Sequence, residues 1–279
     1  MPVDLDYLAP ATVDDAVALR SGSPASTYLL GGTDLLPQMR TGRRSPERLI
    51  DLKRIPELHE IRENPDGGLS IGAAVPLADV ETHPAVLARF PLLAECARTV
   101  GAWPLRQRAT LAGNVCNASP AADTAVALLA LDAVVNVAST TGRLAMAVSE
   151  LFLGPGQTAL MPGDLVTEVV LPGAAAGFRG SYQRLSRRKG MDLATVGVLV
   201  GKRDGARREW RVALAAVAPT PLRVRAAEEL LEAKGTAAAG EAAALAVAAC
   251  RPITDLRGSA EYRREMVGVL VRRAVASLG

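Results

Sequence analysis

The chain has 279 residues, 49% of them hydrophobic and 22% charged, a balance that excludes a disordered chain and suffices for two modest domains or one large one. A formal charge of only +3 with 3% aromatic residues gives no case for nucleic-acid binding, because no aromatic residues interleave with the arginines for base stacking. Cys96, Cys116 and Cys250 lie far apart, and His59 and His83 are the two histidines, so no metal-ligand spacing exists for an iron–sulfur cluster or structural zinc within this chain.

The N-terminal sequence, Met1 to Tyr7, lacks the cationic and apolar regions of a secretory leader, and no apolar run is long enough to span a bilayer; the cytoplasm is the expected location. Asp6 to Pro10 predicts a short strand. Thr12 before an acidic turn and an apolar face marks a helix start running to Leu19. Tyr28-Leu29-Leu30 predicts a brief buried strand ending at Gly31-Gly32, and Leu35 to Arg40 one or two helical turns with Pro37 in the first turn. Arg48 to Leu52 predicts another strand, so the first 55 residues have β-α-β-α-β character and a small parallel sheet. Glu60 to Ala73 carries two alternating runs around Pro65-Asp66-Gly67-Gly68, a hairpin composition at which parallel sheet gives way to antiparallel sheet.

Leu77 to Arg89 and Leu92 to Val100 predict two helices broken at Phe90-Pro91, and Ala125 to Leu131 a third. Ala133 to Ala147 predicts a hairpin turning at Thr140 to Gly142, and Thr167 to Leu171 a strand. Pro172 to Gly177 has a linker composition that neither packs nor patterns, which places a domain boundary near 172–178. Beyond it, Gly180–Arg187, Ala194–Lys202 and Trp210–Ala218 predict antiparallel strands, followed by helices over Ala226–Lys234, Glu241–Cys250 and Ala260–Ser277.

Two stretches stand out as anion cradles. Leu30-Gly31-Gly32-Thr33-Asp34-Leu35 and Thr110 to Asp123 each leave a short apolar run through small, amide and hydroxyl residues and enter a run that can be helical, which exposes backbone N–H groups to a phosphate. The first is neither a dinucleotide fingerprint nor a P-loop, since Gly-x-Gly-x-x-Gly and Gly-Lys-Ser/Thr are both absent; alone it reads as a plain strand-to-helix turn. In the second, Gly113 permits close backbone approach. Thr110, Asn114 and Asn117 have the side chains to bond a phosphate or a flavin ring, and Asp123 can accept from ribityl or ribose hydroxyls. Two such loops suggest one ligand with a pyrophosphate and a sugar.

These motifs resemble the FAD-binding subunit of the molybdenum hydroxylases, the medium subunit of carbon monoxide dehydrogenase and its xanthine dehydrogenase relatives. Further matches follow in order: Phe152 to Leu160, Tyr182 to Ala194, Ala218 to Arg223 and Arg251 to Arg264. The resemblance spans essentially the whole chain. It implies an α+β fold: an FAD-binding domain of the vanillyl-alcohol oxidase (PCMH) type over 1–174, with subdomains of about 1–55 and 56–174, then a C-terminal domain of antiparallel sheet plus helices over 175–279. It further implies that Leu30 to Leu35 and the Gly113-Asn114 turn hold the FAD diphosphate and neighbouring atoms, that Asp123 binds the ribityl or adenosine side, and that Leu160 and the strand near Asp192 to Thr195 lie close to the flavin. One position departs from the family, which usually has Thr-x-Gly-Gly-Asn where this chain has Ala112; a methyl group is tolerated there if the backbone is not at positive φ.

The reading that follows is an FAD-dependent electron-transfer subunit of a molybdenum-containing hydroxylase. No general base is required, and the implied partners are an iron–sulfur (2Fe-2S) small subunit and a molybdopterin large subunit, as a dimer of heterotrimers, with electrons leaving to an acceptor. The alternatives are a free-standing flavin oxidoreductase of the same fold, or a non-catalytic assembly subunit that has lost FAD. Cys116 reads as a small buried thiol, and His59 and His83 as surface or helix-end residues. Arg184, Arg187, Arg188 and Lys189 read either as a solvated strand end or as a docking surface for a partner or an anionic electron acceptor. Trp103 reads either as a packing residue or as a wall of the flavin site.

Overall fold

The computed structural model describes residues 5–206 and 208–279; the leaderless reading of Met1 to Asp4 lies outside them. The chain opens with a parallel sheet in which Arg48–Asp51 lies between Asp6–Leu8 and Ser26–Leu29. Helix Val13–Ser21 crosses over between the first two strands, and the Thr12 hydroxyl accepts from Asp15 N, satisfying one of the free N–H groups at its start. The second strand runs over Ser26–Leu29, slightly ahead of the expected Tyr28 to Leu30, and hands over through Gly31 and Gly32 to helix Leu35–Arg40.

An antiparallel sheet of five strands follows, in the order Ile61–Glu63, Leu69–Gly72, Leu165–Leu171, Val134–Ser139 and Gly142–Ala147. The helices between its strands cover it. Helix Asp123–Ala130 is apolar on all sides after its first turn and is buried throughout, as a helix without a polar face must be. Where one helix was expected from Leu77 to Arg89 there are two, Leu77–Thr82 and Pro84–Arg89. His83 sits between them with ψ 128 because the Pro84 ring disfavours the helical conformation in the residue before it.

The C-terminal sheet orders Arg179–Leu185, Val196–Arg203, Glu209–Ala215 and Leu222–Arg223, all antiparallel. Helices Arg225–Lys234, Ala239–Ala249 and Ala260–Ala276 pack on one face of it. Side chains alternate between faces along a strand. Val196, Val198, Val200, Trp210, Val212 and Leu214 therefore join the helical core, whereas Leu199, Ala213 and Ala215 join the core of the preceding residues.

Pro172 to Gly177 does pack. Ala175 is buried, Gly177 N donates to Arg89 O at 2.8 Å, and a Cβ at Gly173 would stand 1.9 Å from Asp66 O. The segment is pinned between the 64–68 turn and the helix ending at Arg89.

Candidate cofactor site

Leu30 to Leu35 and Thr110 to Asp123 meet around a cavity of about 860 Å³, within the range of about 300–1,000 Å³ usual for a small-molecule site. All twelve residues expected at the site line it: Leu30, Gly31, Gly32, Thr33, Asp34 and Leu35 from the first stretch, Thr110, Gly113, Asn114, Asn117 and Asp123 from the second, and Leu160 from a third wall.

The first arm is shaped by its glycines. A Cβ at Gly31 would lie 1.9 Å from the Arg108 carbonyl oxygen, so only glycine lets this loop touch the segment that enters the second arm. Gly32 has φ +71, the left-handed region that glycine enters at little cost. Among the described residues, the N–H groups of Gly31, Gly32, Thr33 and Asp34 have no hydrogen-bond acceptor within the chain. Consecutive unpartnered N–H groups facing a cavity form an anion nest. Asp34 precedes helix Leu35–Arg40 but caps none of its N–H groups, and burial pushes its carboxyl above the usual range.

The second arm is a helix where the sequence suggested a loop. Leu111–Cys116 forms a short helix whose N-cap is Thr110, the hydroxyl accepting from Gly113 N at 3.0 Å. A Cβ on Gly113 would come within 3.0 Å of the same hydroxyl. Ala112 lies inside this helix, buried, and is not among the residues at positive φ; an alanine is accommodated there without strain.

Part of the arm's polar capacity is spent internally. Asn114 Oδ1 accepts from Thr124 Oγ1 at 2.6 Å, which leaves its NH₂ group as the donor still to be used. Asn117 Oδ1 accepts from Gln38 Nε2 at 3.5 Å, a contact between the two arms. Asp123 Oδ1 accepts from the Tyr182 hydroxyl at 2.6 Å and Arg184 Nε at 3.0 Å. Burial pushes its carboxyl up, and the Arg184 charge and these hydrogen bonds only partly offset that.

The remaining walls come from elsewhere in the chain. Thr158 and the run Leu160 to Val166 form one, tied to the first arm by the Tyr28 hydroxyl, which donates to Gly163 O at 2.8 Å. The loop between strands Arg179–Leu185 and Val196–Arg203 contributes Arg188, Met191, Asp192 and Leu193, held by Arg184, which also donates to Asp192 O. Of the stretch Asp192 to Thr195, only Asp192 and Leu193 reach the cavity; Ala194 and Thr195 are buried away from it. Met161, Met191 and Leu193 are 68%, 52% and 54% exposed, an apolar lining that a planar aromatic ring system would cover. Tyr28, Gln38, Met161 and Met191 were not singled out as site residues from the sequence; for Met161 and Met191 the available signal was a large apolar side chain beside a loop glycine or proline, and for Tyr28 and Gln38, in a strand and a helix, there was none.

Cys116 is exposed and lines the cavity, rather than being the buried thiol expected from the sequence, because the short helix Leu111–Cys116 ends at the cavity wall. Neither His59 nor His83 lines the cavity, and neither does Trp103. Among the described residues, no group of three His, Cys, Asp or Glu side chains is placed to hold a metal, and no helix is long and apolar enough to cross a membrane.

Residues 3–174 match the family model of the FAD binding domain in molybdopterin dehydrogenase, and residues 181–278 that of the CO dehydrogenase flavoprotein C-terminal domain. The chain is 38% identical to the carbon monoxide dehydrogenase medium chain of Hydrogenophaga pseudoflava, over 99% of this chain and 97% of the relative. It is 32% identical to the nicotine 6-hydroxylase medium subunit of Paenarthrobacter nicotinovorans, over 98% and 96%. Its fold superposes with a TM-score of 0.93 on a chain of the H. pseudoflava carbon monoxide dehydrogenase that lacks the Mo-pyranopterin moiety (37% identity; 99% and 97% covered). The TM-score is 0.91 on a chain of quinoline 2-oxidoreductase from Pseudomonas putida 86 (27% identity; 98% and 96% covered).

Proposed function

The chain belongs to the FAD-binding medium subunits of the molybdenum hydroxylases, and from that premise we propose that the twelve residues lining the cavity hold its FAD. FAD is the cofactor, and electron transfer within an oxidoreductase complex is the activity. The observation that carries the site reading is the run of unpartnered N–H groups from Gly31 to Asp34, residues that line the same cavity as Asn114 and the apolar Leu160.

These groups fit FAD by their chemistry. The N–H nest suits the diphosphate, which only accepts hydrogen bonds. Asp34, which only accepts when ionised, suits a ribose hydroxyl, and Thr110 and Asn114 retain donors for phosphate or ring oxygens. Asp123 serves the ribityl side through the oxygen not committed to Tyr182 and Arg184. Met161, Met191 and Leu193 exclude water from the ring. When bound, FAD supplies the redox chemistry, taking up and releasing electrons. The protein's part is to orient the ring and set its surroundings.

We take the chain as an FAD-binding domain over 1–174, with subdomains of about 1–55 and 56–174, and a C-terminal domain over 175–279. Its partners are then a 2Fe-2S small subunit, which delivers electrons, and a molybdopterin large subunit, together a cytoplasmic dimer of heterotrimers. A tagged chain purified from its native host should bring down two further subunits with FAD, iron and molybdenum. Recovery of the flavin-loaded chain alone, reduced directly by a small organic substrate or NAD(P)H, would replace this reading with a free-standing oxidoreductase. Loss of FAD has no structural support, since Ala112 is accommodated in its helix.

A further inference from the structure

Outside the cavity, Lys53 lies in the 3-10 turn Leu52–Arg54 that follows the strand Arg48–Asp51. Its ammonium donates to Asp51 Oδ1 at 2.7 Å and to the Leu30 carbonyl oxygen at 3.1 Å. Asp51 is itself fixed, accepting from Lys53 N at 2.9 Å and from the Tyr7 hydroxyl. Lys53 does not line the cavity, whereas Leu30 and Gly31 do. The Leu30–Gly31 peptide is trans, so its C=O and N–H point in opposite directions. A carbonyl held toward Lys53 sends the Gly31 N–H away from Lys53, into the nest. A cation on that carbonyl also polarises the peptide and makes the N–H a stronger donor.

We infer that Lys53 is a positioning residue for the diphosphate of the cofactor: it touches no ligand and acts through the Leu30–Gly31 peptide, whose N–H it aims and strengthens. The inference rests on the reading of Gly31 to Asp34 as the diphosphate arm. Asp51 is the counter-charge that keeps the ammonium in place, and Tyr7 ties the pair to the first strand of the sheet.

The test uses the full chain freed of cofactor and titrated with FAD and, separately, with riboflavin, which has no diphosphate. Removing a charge-assisted contact of this kind in Lys53→Met weakens FAD binding by about tenfold or more, leaves riboflavin within about twofold of wild type, and moves the Gly31 amide resonance in the 15N–1H spectrum. Lys53→Arg, which keeps the charge and the reach, restores FAD binding to within about threefold. If Lys53→Met does not fold, Lys53→Gln takes its place with the same expected direction. Equal weakening of FAD and riboflavin, or FAD affinity unchanged, would overturn the inference and leave Lys53 a packing residue. A wild-type chain that binds riboflavin and FAD equally would overturn the diphosphate reading of the arm itself, and Lys53's role with it.

Discussion

Gly31 shows how one atom organises the site. The missing Cβ would stand 1.9 Å from Arg108 O, so Gly31→Ala must push the two arms apart rather than strain a single torsion. Overpacking of this sort costs about 1–3 kcal/mol, and the displaced loop is the one that carries the N–H nest. Gly31→Ala is expected to weaken FAD binding by about tenfold or more, while circular dichroism remains that of the wild type; unchanged FAD affinity would mean that the arms do not need to touch. The sequence makes Gly31 and Gly32 legible as a turn, but not their partner, because Arg108 lies far along the chain. Asp123 was legible as polar in an apolar stretch. What sequence could not reveal is that Tyr182 and Arg184 take one of its oxygens, since such a contact is set by tertiary packing.

At the scale of elements, most helices and strands could be read from periodicity and caps, and the misses have local causes. Leu111–Cys116 hides because Gly113 and Asn114 lower helix propensity; its start is nonetheless written in the Thr110 cap. The break at His83 hides because Pro84 serves as the first residue of a new helix rather than as a simple stop.

The helix Ala260–Ala276 carries an anchor of its own. The buried Arg263 guanidinium donates to Thr195 O and Ala216 O, both at 2.8 Å, and to Asp255 Oδ1 at 2.6 Å. Partial burial pushes the Asp255 carboxyl up, but the hydrogen bonds from Arg257 and the Arg263 and Arg257 charges outweigh it and hold the group down at about 2, against an ordinary 3.8. A carboxyl depressed in the folded state contributes stability above its unfolded value and loses it as pH falls toward the folded one. Wild type should therefore exceed Asp255→Asn by about 1 kcal/mol at pH 6, after allowance for solvent screening, with the difference vanishing as pH falls from about 4 to about 2. Urea midpoints at several pH values would measure this; a gap that persists at pH 2 would assign the role of Asp255 to packing.

For the whole molecule, the chain order of sheets, the parallel-to-antiparallel change and the C-terminal sheet with its helices were all legible. The joint was not. Pro172 to Gly177 looks like a linker, yet Gly173 and Ala175 pack, and the C-terminal sheet gives Leu199, Ala213 and Ala215 to the core of the preceding residues. This shared core lets Arg184 reach Asp123 and brings Met191 and Leu193 to the cavity. The C-terminal part thus completes the cavity proposed to hold FAD rather than trailing behind it.

The most direct measurement is a titration of the isolated, cofactor-free full chain with FAD, followed by absorbance and by thermal melting. A yellow complex at one FAD per chain is expected. At free FAD of about a hundred times Kd, binding to the folded state alone stabilises by about 2.7 kcal/mol, which appears as a clear rise in Tm. A chain that stays colourless and melts at the same temperature with saturating FAD would contradict the account.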